Sequence, residues 1–484
     1  MINARNNVRL LSLPFLWMGG VQIVFGLLSG FVFNDGIEFS FYETGFPLII
    51  VAYILYSIPS RVDLSKVTFR DSLLFAVLTW SITGILGALP IYLITDASLT
   101  DAVFESVSAL TTTGATILVG LDQMPKSFLL YRQFLQWMGG LGVVIFVVAV
   151  LPMLNVGGMR LLKAEIPGPV KDEKLTPRVA NTAHYLWMVY VILTLACAIA
   201  YYLSGMSLFD ALAHSFTTIS TGGFSTHDAS MGYFGSNTIL LVSSVFMVLG
   251  AINFALHFSV YYKKSLFLYF RDEEARVFLC IILGLTLMLS GILWQQGAYS
   301  GVFDVLVQSV FHITSFITST GYGAADLSAW PQVTAVLLVI TAYLGGCAGS
   351  TAGGNKIIRN IITFKIIRRE FRRLAHPKGV FALKFQGRSV SQSVVSSVMA
   401  FMALAVTTSL ALTLVLMYTG LDFWSAFTAV AACLNVLGPG FDQVGSNFQP
   451  VSDAGIWVLT GAMILGRLEY FTLLALLLPG FWVR

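Results

Sequence analysis

Four short segments of this 484-residue chain each climb through small hydroxyl or apolar residues to a glycine. They run from Ser108 to Gly114, Thr218 to Gly222, Ile317 to Gly321 and Cys433 to Gly438, and they end in Thr112-Thr113-Gly114, Ser220-Thr221-Gly222, Ser319-Thr320-Gly321 and Val436-Leu437-Gly438. The glycines lie 108, 99 and 117 residues apart, so one module recurs four times. Backbone carbonyls on a glycine-containing loop replace the hydration shell of an ion, and glycine lets the chain turn them inward. Four such segments, each too short to cross a bilayer, have the layout of a cation pore in which these twelve residues coordinate the ion.

Two further features bear on ion movement. Gly345, Gly346, Gly349, Gly353 and Gly354 crowd into ten residues and interrupt an apolar helix. A phosphate-binding loop is excluded, because Asn355 stands at the lysine position and no Ser or Thr follows Lys356. The break reads as a mobile gate below the four segments, the alternative being a small-residue helix-packing patch. Arg467 lies deep in the last apolar stretch, where an arginine costs roughly 2.5 to 3.5 kcal/mol on insertion scales. It is expected to face either the pore or a carboxylate on another helix. Glu469, only two positions on, points elsewhere.

The elements that must position these groups follow from hydropathy. Hydrophobic residues make up 56% of the chain and charged residues 11%, with a mean hydropathy of +0.80, which is the composition of an integral membrane protein. Apolar stretches of spanning length occur at 10–33, 72–95, 133–152, 182–204, 238–260, 277–296, 391–419 and 455–479, with shorter ones at 44–59 and 333–344. This predicts ten crossings. The stretch after Arg5 and Arg9 has no small-residue cleavage site and reads as a retained helix rather than a signal peptide. With both termini cytoplasmic, 25 of the 28 basic residues fall on the inner side, leaving Lys126, Arg132 and Arg467. All four glycine segments then lie on the outer side.

The expected fold is an all-α membrane protein: four parallel helix–pore helix–helix repeats around a pseudo-fourfold pore, plus an N-terminal two-helix hairpin. Its boundaries are 1–70 for the hairpin and 71–180, 181–275, 276–388 and 389–484 for the repeats, the third containing the gating loop. Asp101, Asp210, Asp304 and Asp422 open the pore helices, such as 102–112 and 209–220, either capping free N–H groups or binding ions directly. Outer loops carry 14 of the 24 acidic residues and gather cations. The four cysteines read as small buried hydrophobes, and Trp137 to Gly142 as a close helix crossing. No histidine has metal-ligand spacing and no nucleophile–base pair stands out, so an enzyme is not expected. Parallel repeats also disfavour a transporter for organic substrates, which would show inverted repeats.

Several motifs in order carry a family resemblance. Arg132 to Pro152 with its Trp-x-Gly-Gly-x-Gly core, the Gly-Ser-Thr-Ala-Gly-Gly run at 349–354 followed by Lys356 and Arg359, Asn-x-Leu-Gly-Pro-Gly at 435–440, and Gly466-Arg467-Leu468-Glu469 resemble the Trk/Ktr/HKT superfamily of potassium transporters. The last two motifs and the N-terminal hairpin are most similar to its bacterial TrkH branch. The resemblance implies potassium uptake across the bacterial inner membrane by a homodimer embedded in lipid. It also implies a cytosolic ring of TrkA-type nucleotide-binding subunits as partner, and no nucleic acid. Potassium is then the ion required, with Gly114 favouring it over sodium, and potassium symport coupled to sodium or protons is the alternative to channel-like uptake.

Overall fold

The computed structural model of the chain describes residues 4–57, 69–145 and 179–482. The basic residues Arg61, Lys66, Arg160 to Arg178 and Arg484, and the second part of the expected span 133–152, lie outside the described residues. Apart from one antiparallel ribbon pairing Lys384–Phe385 with Arg388–Ser389, the described secondary structure is helical. This agrees with the expected class.

A hairpin of α1 (Ala4–Leu28, extended by a π-helical turn at Ser29–Phe33) and α2 (Glu38–Ser57) comes first. Four units follow, each with an apolar helix, a short helix, an irregular segment and a second apolar helix. The first unit comprises α3 (Phe69–Ile94), α4 (Leu99–Leu110) and α5 (Lys126–Ile145). The second comprises α6 (Val179–Leu203), α7 (Leu208–Ile219), α8 (Asn237–Ala251) and α9 (Phe254–Lys263), with α10 (Phe267–Arg271) leading out of it. The third holds α11 (Glu273–Gln295), α12 (Val302–Ile317), α13 (Gln332–Leu344) and α14 (Ile357–Ala375). The fourth holds α15 (Gln392–Tyr418), α16 (Phe423–Leu434), α17 (Asp453–Arg467), α18 (Phe471–Leu477) and α19 (Pro479–Trp482).

Three of the four short helices, α4, α7 and α16, are capped by side chains at their N-termini, which satisfies free N–H groups there. Ser98 and Asp101 form a capping box on α4, Ser207 accepts from the Asp210 N–H on α7, and Asp422 accepts from the Trp424 and Ser425 N–H groups. Asp304 differs: α12 begins at Gly301 without a side-chain cap, and Asp304 accepts from Asn237 Nδ2 at 2.7 Å. The Asp210 carboxylate accepts from Ser207 Oγ and Thr226 Oγ1, so each of the four aspartate side chains takes part in hydrogen bonds within the protein. Of the cysteines, Cys197, Cys347 and Cys433 are buried but Cys280 is exposed on α11, so the expectation of burial fails there.

Among the described residues, six helices are long and apolar enough to cross a membrane. Two of the predicted straight crossings are bent. The 238–260 stretch turns by 96° between α8 and α9, and the 455–479 stretch by 118° between α17 and α18. Asn253 sits at the first break and caps α9 by accepting from the Ala255 N–H at 2.8 Å. At the second, Glu469 takes a left-handed φ of 54° and pairs with Arg359 at 2.5 Å. Hydropathy registers composition and is blind to such changes of direction. The side chains of Ile192, Leu195, Ile199 and Leu203 form an exposed apolar face along α6, as expected of a helix against lipid.

Candidate functional site

The inner ends of the four short helices converge on four irregular segments with one backbone course. Each helix closes on Thr111, Ser220, Thr318 or Asn435. The next residue is left-handed: Thr112 (φ 57°), Thr221 (53°), Ser319 (55°) and Val436 (58°). Then come Thr113, Gly222, Thr320 and Leu437, whose N–H groups each reach back five residues, to the carbonyls of Ser108, Thr217, Ser315 and Ala432, at 2.7 to 2.9 Å. A glycine with positive φ follows: Gly114 (81°), Gly223 (78°), Gly321 (77°) and Gly438 (102°).

This alignment corrects the sequence reading in the second unit. The glycine matching Gly114, Gly321 and Gly438 is Gly223, and the matching triplet is Thr221-Gly222-Gly223, with Ser220 serving as the helix cap. The sequence offers two adjacent glycines after a threonine, and only the backbone hydrogen bonds choose between them. Consequently two units, not one, lack a threonine before the glycine: Gly222 and Leu437 stand where Thr113 and Thr320 stand.

The four glycines close a ring. A β-carbon on Gly114 would collide with the Gly222 carbonyl oxygen, one on Gly223 with Thr320 O, one on Gly321 with Leu437 O, and one on Gly438 with Thr113 O. Each unit thus abuts the next, and the fourth returns to the first. All four glycines also line one open cavity of about 950 Å³. Its outer wall includes His227, Asp228, Asp326 and Asp442. His227 Nδ1 lies 2.5 Å from Asp122 Oδ1, joining the loops of the first and second units, and this hydrogen bond holds the Asp122 carboxyl below the usual carboxylate range.

The side of the ring facing away from this cavity is covered by residues 345–356. Gly345, Gly349 and Gly354 have φ near +74°, at 74°, 73° and 75°, so they shape a loop rather than a flat packing face. Gly346 packs against Ala352 and Ala251, and Gly353 leaves no room for a β-carbon beside the Asn435 carbonyl. The loop is tied to residues just before the ring. Thr351 Oγ1 lies 3.0 Å from both Ile219 O and Gly250 O; Gly353 N–H donates to Ser319 Oγ at 2.6 Å and Gly354 N–H to Asn435 O at 3.1 Å. At its far end the buried Glu274 accepts from the Ala348 and Ile358 N–H groups, at 2.8 and 3.1 Å.

Arg467, at the C-terminal end of α17, donates from Nη1 to Thr351 O at 2.9 Å and from Nη2 to Gly139 O at 3.3 Å. Among the described residues no carboxylate pairs with it, and both of its bonds go to backbone carbonyls. It grips the loop from one side and the first unit from the other. It is not the only deep arginine either. Arg132 is fully buried against Glu105, which also accepts from Thr116 Oγ1 and Ile117 N–H, and Arg359 pairs with Glu469. The close crossing expected around Trp137 to Gly142 is present, since a β-carbon on Gly139 would collide with the Leu110 carbonyl.

Sequence reasoning passed over Glu274, Glu105 and Gln136. The signal for the last was a polar pair four residues apart, Arg132 and Gln136, on one face of a largely apolar helix.

Comparison with known proteins shows the same organisation end to end. The TrkH family model, described as a cation transport protein, matches residues 38–479. The Trk system potassium uptake protein TrkH of Vibrio parahaemolyticus is 44% identical over 483 residues, covering 99% of this chain and 99% of the relative. Its counterpart in Salmonella typhimurium is 43% identical over 476 residues, covering 98% of each. The crystal structure of the potassium transporter TrkH from Vibrio parahaemolyticus superimposes with a TM-score of 0.90 at 42% identity, covering 99% of both chains.

Proposed function

The chain belongs to the TrkH family of cation transport proteins, and from that premise we propose that it is a potassium uptake protein of the Trk system, with the four-glycine ring as its selectivity filter. The observation that carries the reading is the ring itself. Four equivalent peptide segments meet around one axis, open outward into a common cavity and are stopped on the other side by the 345–356 loop.

Potassium enters here as the transported substrate. Acidic loops gather it at the cavity. At the ring, carbonyls of Thr112-Thr113-Gly114, Thr221-Gly222-Gly223, Ser319-Thr320-Gly321 and Val436-Leu437-Gly438 replace its water. The negative ends of the four short helices point at the same place and favour a cation. Inward movement is driven by the membrane potential, about 2.3 kcal/mol per charge per 100 mV. The loop of Gly345, Gly346, Gly349, Gly353 and Gly354, pinned by Arg467, is the gate. A cytosolic ring of TrkA-type nucleotide-binding subunits displaces it, acting on a homodimer in the bacterial inner membrane with both termini cytoplasmic.

The test is tracer potassium and rubidium flux into liposomes holding the purified chain, with sodium and proton gradients varied separately. Flux that follows potential alone supports channel-like uptake. Flux that collapses without a sodium or proton gradient replaces that mechanism with symport, and absence of potassium flux overturns the assignment.

A further inference from the structure

The second unit's segment lacks the side chain that the other three possess just before the glycine. In the first and third units the threonine before the glycine ties back within its own segment: Thr113 Oγ1 lies 2.7 Å from Thr111 Oγ1, and Thr320 Oγ1 lies 2.8 Å from Thr318 Oγ1. In the fourth unit Leu437 fills the position with a buried apolar side chain. Gly222 has no side chain and can do neither.

The space is filled from the first unit. Gln136 on α5 is completely buried, and its amide lies where a side chain on Gly222 would go; a β-carbon there would come within 2.5 Å of Gln136 Cδ. Nε2 donates to the Gly222 carbonyl at 2.7 Å, and Oε1 accepts from the Phe224 N–H at 3.0 Å. The partners decide the amide orientation, since a carbonyl only accepts and a backbone N–H only donates. One side chain therefore clamps both flanks of Gly223. The carbonyl it holds is the one against which Gly114 packs, so the clamp sits at the joint between the first and second units.

We infer that Gln136 is a specificity-determining positioning residue, its amide standing in for the side chain absent at Gly222 and fixing the peptide planes of the ring at the junction of the first two units. The inference rests on the reading of the ring as the filter. Without the clamp, the Gly222 carbonyl is free to tilt, and the ring can contract around an ion smaller than potassium. At the equivalent position the first and third units have a threonine tied to its own segment and the fourth a buried leucine, so the second unit alone takes this support from another unit.

The experiment uses the full-length purified chain in liposomes and reads the potassium-to-sodium flux ratio alongside melting temperature. Gln136→Met keeps the length and apolar volume but loses both hydrogen bonds. The ratio is expected to fall about tenfold, the size associated with one lost buried hydrogen bond, in protein that still melts cooperatively. Gln136→Leu is the second variant, because it removes donor and acceptor together and introduces no ionisable group; its ratio should fall too. Rescue separates positioning from bulk. Gly222→Thr alone should be damaging by collision with Gln136, whereas Gln136→Ala combined with Gly222→Thr, which rebuilds the arrangement of the first and third units, should recover the ratio. Folded Gln136→Met or Gln136→Leu protein with a wild-type ratio overturns the inference, as does a double variant no better than the product of its singles. Gly114→Ser in the same assay guards the premise: if it leaves the ratio unchanged, the filter reading has failed, whereas a reduced ratio there beside unchanged Gln136 variants defeats the clamp alone.

Discussion

The glycine ring and the loop beneath it touch one another yet are held by opposite means. The ring is pseudo-symmetric: each unit contributes a segment of the same backbone course ending in a glycine of positive φ, though the side chains before that glycine differ. It is built from backbone against backbone, with four non-glycine residues in left-handed conformations that cost about 1 to 3 kcal/mol each and persist only where the surroundings over-determine them. No side chain there can yield. The loop comes from one unit only and, besides backbone bonds such as Gly354 N–H to Asn435 O, is held by side-chain hydrogen bonds involving Ser319, Thr351, Glu274 and Arg467. Each such bond contributes about 0.5 to 1.5 kcal/mol net, more where a charge takes part, and water can replace it. Rigidity thus sits where ions must be told apart, and exchangeable contacts sit where the path must open and close.

The largest expected effect comes from breaking the rigid half. Gly114→Ser places a side chain against the Gly222 carbonyl at a φ of 81°, and Gly223→Ala does the same against Thr320 O at 78°. Both should reduce potassium-over-sodium discrimination by at least about tenfold in flux measurements, a change worth roughly 1.4 kcal/mol or more. Gly223→Ala also tests the register. If it is silent while Gly222→Ala abolishes selectivity, the ring alignment in the second unit is wrong.

Deleting much of Gly345 to Gly354 attacks the exchangeable half. It should raise basal flux and remove its dependence on the cytosolic partner, with selectivity retained because the ring glycines are untouched. A folded deletion whose flux stays low and partner-dependent would remove the loop from gating.

Arg467→Ala should act in the same direction but less strongly. It takes away a fixed positive charge that repels cations, one bond from the fourth unit to the loop at Thr351 O and one from the fourth unit to the first at Gly139 O. Flux through the folded protein should rise, most at low ionic strength where screening is weakest. Since the guanidinium meets carbonyls and not a carboxylate, stability should drop by about 1.5 to 3 kcal/mol, the range for a hydrogen bond to a charged group. A larger loss of melting temperature without extra flux would return Arg467 to a purely structural role.

The smallest effect belongs to the outer loops. The bond from His227 holds the Asp122 carboxyl low, so its contribution to stability is full at neutral pH. That contribution is lost as the pH falls from the ordinary carboxylate value of 3.8 through the depressed one. Because Asp122 is more than a third exposed, Asp122→Asn should cost about 0.5 kcal/mol or less. The shift should vanish when melting is followed below that window, and an equal shift at all pH values would mean that the pair contributes nothing electrostatic.

The membrane class, the hairpin, the four short helices and the loop were legible because each leaves a local trace: long apolar runs, capping residues, clustered glycines. Glu274, Glu105 and Gln136 were not, since their meaning lies in partners far along the chain; Gln136 and Gly222 are 86 residues apart. Periodic glycines likewise announced four segments, but Gly222-Gly223 left the register of one open, and the chain reversals near Asn253 and Glu469 were invisible to hydropathy.

By itself, then, the sequence determined what solvent the chain lives in and how many times its module recurs, because composition and spacing are properties of a line of residues. Only the tertiary structure decided which glycine faces which carbonyl, that Arg467 grips the loop instead of an acid, and that the first unit supplies the brace missing from the second. Those are statements about packing, in which a carbonyl and a β-carbon compete for the same few cubic ångströms, and that competition exists only once distant segments are brought together.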